Sequence, residues 1–238
     1  LSEMMKLRRA RQGNRVADAI DRDYFANYRG VGPYRDVWSQ FTDPDLLLQW
    51  IGTVWKPDAR FRMLVAGSAS GQLVAALRER GVDAWGVENN RAIHAETPSD
   101  VAAYNRRGTV TDLPFADGEF DFVFETSLCH VTERLVPKAV RELGRVTRTG
   151  LVFGSVTSDL SPAIVDRFDL LRGVKKLATW WEWSELFFNN GFESAMHRRD
   201  CTDEVWAAAL AAGKGPGQWY AEAESLRYSF FDKTEDDE

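Results

Sequence analysis

Apolar and polar positions change rhythm along the chain near residue 60. Before that point the spacing is helical: Leu46, Leu47, Trp50, Ile51 and Val54 recur every three or four positions. Asp43-Pro44-Asp45 supplies the start signal, an acid at the N-cap, a proline at the first helical position and a second acid in the first turn. Pro57 is expected to end this helix. The aromatic stretch from Tyr24 to Trp38 is broken by Gly30, Gly32 and Pro33, and reads as a loop or short helices wrapped over something. From Phe61 onward, short apolar runs alternate with helical patterns. Met63 to Ala66 is a first strand, and Leu73, Ala76 and Leu77 mark a helix that Gly81 stops in left-handed conformation. Ala84 to Val87 is a second strand, closing on Glu88. A weaker third strand is expected at Thr109-Val110 and a fourth over Phe120 to Phe124. Leu135, Ala139, Leu143 and Val146 mark a helix stopped near Gly150, and Leu151 to Val156 is a fifth strand. This alternation predicts an α/β fold with a doubly wound, mostly parallel sheet.

The last third is less regular. Ser184 reads as an N-cap, with Trp183 and Phe188 as a hydrophobic staple across it and Gly191 just past the helix end. Phe192 to Met196 suggests a short strand and Thr202 to Ala212 an alanine-rich helix. The Gly213 to Gly217 loop, with its single Lys214, reads as a connection rather than a phosphate site. Ser225 to Phe231 suggests a final strand, and Glu235 to Glu238 a frayed acidic end. With no internal repeat and no long linker, the expectation is one structural unit over 61–238 preceded by a helical cap over 1–60.

Composition narrows the partners. Of 238 residues, 44% are hydrophobic and 28% charged, which suits a globular core, and 9 tryptophans must line either that core or an apolar pocket. A formal charge of −6 argues against a nucleic-acid partner, and the basic stretch Lys6 to Arg15 reads as a solvated helix face. Cys129 and Cys201 show no metal or disulfide pattern, so a reducing, cytoplasmic setting is the expectation. His94, His130 and His197 are scattered and suggest no metal site, and His94 and His197 read as surface residues. No apolar run reaches membrane-spanning length, and the N-terminal stretch has charges but no apolar signal core. The expected partner is a small molecule, with the oligomeric state open.

The candidate chemistry lies where the first strand meets its helix. A small-residue loop lets the backbone approach a ligand, and an acid ending the next strand can accept both hydroxyls of a ribose. Gly67, Ser68, Ala69 and Gly71 form that loop, and Glu88, followed by Asn89, occupies the acid position. Ala69 and Gln72 break the dinucleotide fingerprint, and no P-loop lysine follows, so a nucleoside without a pyrophosphate fits better.

On these residues, and on the string Asp112-Leu113-Pro114-Phe115-Ala116-Asp117-Gly118-Glu119-Phe120-Asp121, the chain resembles the class I S-adenosylmethionine-dependent methyltransferases, in particular the small-molecule branch of quinone and sterol methylases. The resemblance covers about Phe61 to Ser158 and, more loosely, the rest. It implies S-adenosyl-L-methionine as cofactor, held at the loop, with its ribose on Glu88 and its adenine flanked by Asp112 and Leu113. It also implies a backbone carbonyl near Glu125-Thr126 for the cofactor's amino group, and a seventh, antiparallel strand at the sheet edge. The family's acid two residues before the first glycine is Val65 here, and its middle glycine is Ala69, which makes the glycine loop degenerate.

Methyl transfer from a sulfonium needs positioning and dryness more than acid–base power. His130 is the candidate base, packing being its other reading. Trp180 and Trp181 are candidates for the substrate wall, as are Tyr28 and Tyr34 of the cap; Tyr28 is also a candidate for the cofactor's carboxylate. Cys129 and His130, taken as neighbours at a strand end, should point apart. Glu125 reads as held by local hydrogen bonds. The leading function is methyl transfer to O, N or C of a small, partly apolar or aromatic acceptor. The alternatives are a non-catalytic methyltransferase-like binding or regulatory subunit and, disfavoured by the failed fingerprint, a nicotinamide oxidoreductase.

Overall fold

The structure, a computed structural model, describes residues 24–57, 60–158, 174–197 and 229–234. Seven strands make one sheet: β1 (Arg62–Ala66), β2 (Asp83–Glu88), β3 (Asn105–Arg107), β4 (Phe120–Glu125), β5 (Thr147–Phe153), β6 (Phe192–His197) and β7 (Ser229–Lys233). Their order is β3-β2-β1-β4-β5-β7-β6. β1 to β5 run parallel, and β7 is antiparallel to both β5 and β6. Four longer helices flank the sheet, α1 (Pro44–Val54), α2 (Gln72–Glu79), α3 (Val136–Val146) and α4 (Trp180–Phe188).

Parallel strands covered on both faces must be apolar throughout, which is why β1 and β4 read as continuous runs. Alternate residues then feed two cores. Met63 and Val65 pack with Phe122 and Phe124 against Leu47 and Ile51 of α1 and Leu73, Val74 and Leu77 of α2. Leu64 and Ala66 pack on the opposite side with Val123, Leu151 and Phe153 against α3 and against Trp183 and Phe187 of α4. The chain order reverses between β1 and β4, so the crevice of this sheet opens at the carboxyl ends of those strands.

The doubly wound sheet and the reversed edge strand agree with expectation, but several boundaries move. The third strand is Asn105–Arg107, while Thr109 and Asp112 pair with each other in a turn. Gly108, between Arg107 and Thr109, follows the strand, and a Cβ there would lie 2.9 Å from Val87 Cγ2. α1 ends at Val54 rather than running to Pro57. α3 ends at Val146 and passes directly into β5, so Gly150 lies inside that strand instead of stopping the helix, and the strand ends at Phe153. α4 starts four residues before Ser184: Thr179 is its N-cap, in a reciprocal capping box with Glu182. Ser184 is buried mid-helix and Trp183 is a core residue, so neither belongs to a cap or staple. Gly191 does follow the helix in left-handed conformation, with φ 79°. The last strand is Ser229–Lys233.

The stretches Lys6 to Arg15, Thr202 to Ala212, Gly213 to Gly217 and Glu235 to Glu238 lie outside the described residues, as do Cys201 and the His197 side chain. Among the described residues no helix is long and apolar enough to cross a membrane.

Candidate functional site

β1 ends at Ala66 and the chain turns sharply. Gly67 (φ 80°), Ala69 (φ 49°) and Gly71 (φ 81°) are all left-handed, and α2 begins at Gln72. Gly67 is obligatory here, since a Cβ on it would fall 2.6 Å from Ser127 Cβ in the loop after β4. The Gly67 and Ser68 amides donate to the Val87 carbonyl at 3.0 and 3.1 Å, which ties the loop to the end of β2.

Glu88, the last residue of β2, is buried with its carboxylate under the loop. One oxygen accepts the Ala69 amide at 2.9 Å and the other the Asn90 amide at 2.6 Å. Both carboxylate oxygens are thus turned toward the backbone amides of the loop and of the turn after β2. Asn90 caps the one-turn helix Arg91–His94, its Oδ1 accepting the Ala92 and Ile93 amides. Those two bonds fix which way the amide faces, and its buried Nδ2 then has no partner. An unpaired buried donor costs about 1–3 kcal/mol, which a ligand acceptor would recover. Sequence reading passed over Asn90 in favour of its exposed neighbour Asn89; the N-cap position was the available signal.

The turn after β3 carries Asp112, exposed, and Leu113, buried. The Leu113 amide donates to Glu142 at 2.8 Å, and its carbonyl accepts from Arg145 at 3.1 Å, so α3 holds the turn in place. Arg145, placed between Glu142 and Asp117, holds the Glu142 carboxyl down at about 2.

At the end of β4, Glu125 is fully buried. Its carboxyl accepts from the Ser127 amide and hydroxyl, from the Leu128 amide at 2.5 Å and from the Ser155 hydroxyl at 3.1 Å. Burial pushes its pKa up to about 7, against the pull of those donors. The Glu125 carbonyl accepts the Gly154 amide at 2.8 Å as part of the sheet, and Thr126 follows in the turn. Glu125 thus holds the short 3-10 turn Leu128–His130.

That turn corrects the expected divergence of Cys129 and His130. They lie on a tight turn and not on a strand, with the imidazole close enough for its charge to act on the thiol. Burial raises the Cys129 pKa, but the adjacent His130 more than offsets it and the net direction is down. His94 is likewise no surface histidine: it is half-buried, with Nε2 2.8 Å from the Asn105 carbonyl oxygen.

The cap closes on this turn through aromatic edges. Tyr24 meets His130 at 5.6 Å between ring centroids, and Tyr24, Phe25, Tyr28 and Tyr34 pack mutually edge to face or stacked. Burial raises the Tyr34 pKa, reinforced by Tyr28 and by the charge of Glu88. Arg29, buried and left-handed (φ 52°), lies over the Tyr28 and Phe41 rings and was not singled out in the sequence. Trp180 and Trp181 part company. Trp180 is buried, with its indole N–H donating to Ser229 at 2.8 Å, whereas Trp181 is 62% exposed.

The elements therefore bring the loop, Glu88, Asn89, Asn90, Glu125, Thr126, the His130 turn and the tyrosines of the cap to one end of the sheet, and leave Trp181 at the surface. No group of histidine, cysteine and acidic residues able to hold a metal occurs among the described residues.

Comparison with known families places this geometry. Residues 64–153 match a methyltransferase domain. The matched stretch runs from β1 to the end of β5 and contains the loop, Glu88, the Asp112-Leu113 turn and the His130 turn. No curated protein sequence matches the chain. Solved structures do. A Thermotoga maritima protein described as a SAM-dependent methyltransferase, possible histamine N-methyltransferase, is 19% identical, with a TM-score of 0.51 over 76% of this chain and 79% of that one. The geranyl diphosphate C-methyltransferase of Streptomyces coelicolor, solved with Mg2+, geranyl diphosphate and S-adenosyl-L-homocysteine, is 13% identical, with a TM-score of 0.54 over 80% and 79%. The [4+2]-cyclase SpnF is 16% identical, with a TM-score of 0.54 over 80% and 81%. At these identities the likeness shows the fold, which is the Rossmann-like fold of methyltransferases.

Proposed function

We propose that the chain binds S-adenosyl-L-methionine at the carboxyl ends of β1 and β2 and transfers its methyl group to O, N or C of a small, partly apolar or aromatic acceptor, as the quinone and sterol methylases do. The observation that carries this is Glu88, an acid buried beneath a left-handed loop at the end of β2, with the unpartnered Asn90 donor two residues away. The fit to a nucleoside is good on these grounds, and the loop offers no pyrophosphate cradle.

The cofactor supplies a methyl group on a sulfonium, already a good leaving group. The chain's own task is then to hold and dry the reactants. Gly67 to Gly71, Glu88 and Asn89 hold the nucleoside, Asp112 and Leu113 flank its base, and the Glu125-Thr126 turn faces its amino-acid end. The cap tyrosines, Tyr28 and Tyr34, exclude water and offer aromatic edges to the acceptor. His130, on the turn after β4 and edge-on to Tyr24, takes the proton from a hydroxyl or ammonium acceptor in this reading.

A second reading, cofactor binding without methyl transfer, has its own support. Val65 is buried where the family carries an acid, and a [4+2]-cyclase shares the fold. Calorimetry with S-adenosylmethionine, S-adenosylhomocysteine and NAD orders the readings. Binding of the two sulfur nucleosides but not NAD is expected, with Glu88→Ala weakening both at least tenfold; silence from both at millimolar concentration sinks the proposal. His130→Ala should slow turnover while leaving the affinity for S-adenosylhomocysteine within a factor of two. If the wild type binds but methylates no acceptor across a broad screen, the second reading takes over.

A further inference from the structure

We propose that Asn105 is a positioning residue, a buried clamp that holds Ser68 and Ala69 in the shape the ligand loop needs without its middle glycine. This rests on the reading of that loop as the cofactor cradle and names what shapes it. Asn105 opens β3 and is 2% exposed. Its Oδ1 accepts the Ser68 hydroxyl at 2.5 Å, and its Nδ2 donates to the Ala69 carbonyl at 3.1 Å and to the Thr97 hydroxyl at 2.9 Å. Its own carbonyl lies 2.8 Å from His94 Nε2. A flipped amide would set an oxygen against the Ala69 carbonyl, so the orientation is the one these partners demand.

Ala69 explains why a clamp is needed. An L-residue at φ 49° is strained by its Cβ, where glycine is not. Here the strained residue is gripped from both sides, its amide by Glu88 and its carbonyl by Asn105. The room for this grip is written in two other glycines. A Cβ on Gly86 would lie 2.6 Å from Ser68 Oγ, and one on Gly71 would lie 3.1 Å from Asn105 Nδ2. The remaining partners, Thr97 and His94, belong to the segment that follows Glu88. Asn105 therefore ties together both walls of the proposed site, the loop before α2 and the turn after β2. A polar residue kept only to fill the core would have no reason to spend both its donors and an acceptor on those two segments.

The test uses the whole chain and four forms of it: wild type, Ala69→Gly, Asn105→Ala and the double variant. Two readouts keep the questions separate. Amide exchange over residues 66–72 in the ligand-free protein reports the clamp, and calorimetric affinity for S-adenosylhomocysteine reports its use. Asn105→Ala should speed loop exchange and weaken binding, each about tenfold or more. Ala69→Gly should restore most of both losses in the Asn105→Ala background, each read against the Ala69→Gly single variant, because glycine adopts the left-handed shape unaided. Unchanged exchange and affinity in a folded Asn105→Ala protein overturn the proposal, as does a loss that Ala69→Gly does not repair, which marks Asn105 as general core. If Asn105→Ala does not fold, Asn105→Ser, too short to reach both loop residues, is read against the same criteria. Should the wild type bind no sulfur nucleoside while exchange responds and is repaired as described, the clamp stands and the cofactor reading falls.

Discussion

Glu125 shows how one buried carboxyl can make stability depend on pH. Its pKa sits at about 7, above the usual 4.5, because burial disfavours the charge more than its four donors favour it. A group whose pKa is raised by folding contributes fully below its unfolded value and loses that contribution as pH rises through the folded one. The stabilisation due to Glu125 is therefore complete near pH 4, falls between about pH 4.5 and 7, and is flat above, a span on the order of 3 kcal/mol. Glu125→Gln removes the dependence while keeping the geometry: its oxygen can accept the Ser127 and Leu128 amides, and its NH2 can donate to Ser155. Urea midpoints of the two proteins, measured from pH 4.5 to 8, should diverge with pH, the variant gaining relative to the wild type. Parallel curves would show that folding does not raise the Glu125 pKa.

At the scale of elements, α4 separates what the sequence displays from what it hides. Ser184, the cap expected from the sequence, and Thr179, the cap found, have the same chemistry, and only the tertiary position of Trp183 decides between them. Trp183 is fully buried against Phe153, which draws the helix back by a turn and puts Thr179 with Glu182 at its start. Thr179→Ala should cost about 1 kcal/mol of unfolding free energy by losing the capping box. Ser184→Ala should be neutral or stabilising, because its buried hydroxyl has no partner. Equal losses in urea titrations would refute this assignment. The same contrast runs through the rest of the fold. β1, β2 and β4 were legible because strands buried on both faces are apolar throughout, and Glu88 because it ends one of them. β3 was not, since Asn105-Arg106-Arg107 is a polar edge whose pairing depends on β2 alone. Asn90, Asn105 and Arg29 escaped for a related reason: each matters through partners distant in sequence or through a backbone angle, and periodicity reports neither.

Across the whole molecule, the cap and the sheet are fastened at both ends. Toward the proposed site, Tyr24 and Tyr28 rest on the His130 turn and Phe41. Toward the other end, Trp55 lies 5.0 Å from Phe122 and 5.6 Å from Phe230 between ring centroids, with its indole N–H donating to Asp232 at 2.5 Å. Gly150 of β5 leaves the room that this indole fills. Trp55→Ala should therefore destabilise the entire protein by about 3 kcal/mol, in one transition shared by cap and sheet. Intrinsic fluorescence and circular dichroism that part company in the variant would show that the two unfold separately.

β7 lies between β5 and β6, although it follows both in sequence and residues 198–228 separate it from β6. A nascent chain can assemble β1 to β5 as they emerge, but β6 finds no neighbour in the sheet until β7 has been made. In the interval, Leu151, Val152 and Phe153 present an open, apolar strand edge, the kind that recruits other chains. The reversed strand thus acts as the closing piece of assembly, and crowding during synthesis, more than the equilibrium stability of the finished fold, sets how safely this protein is made.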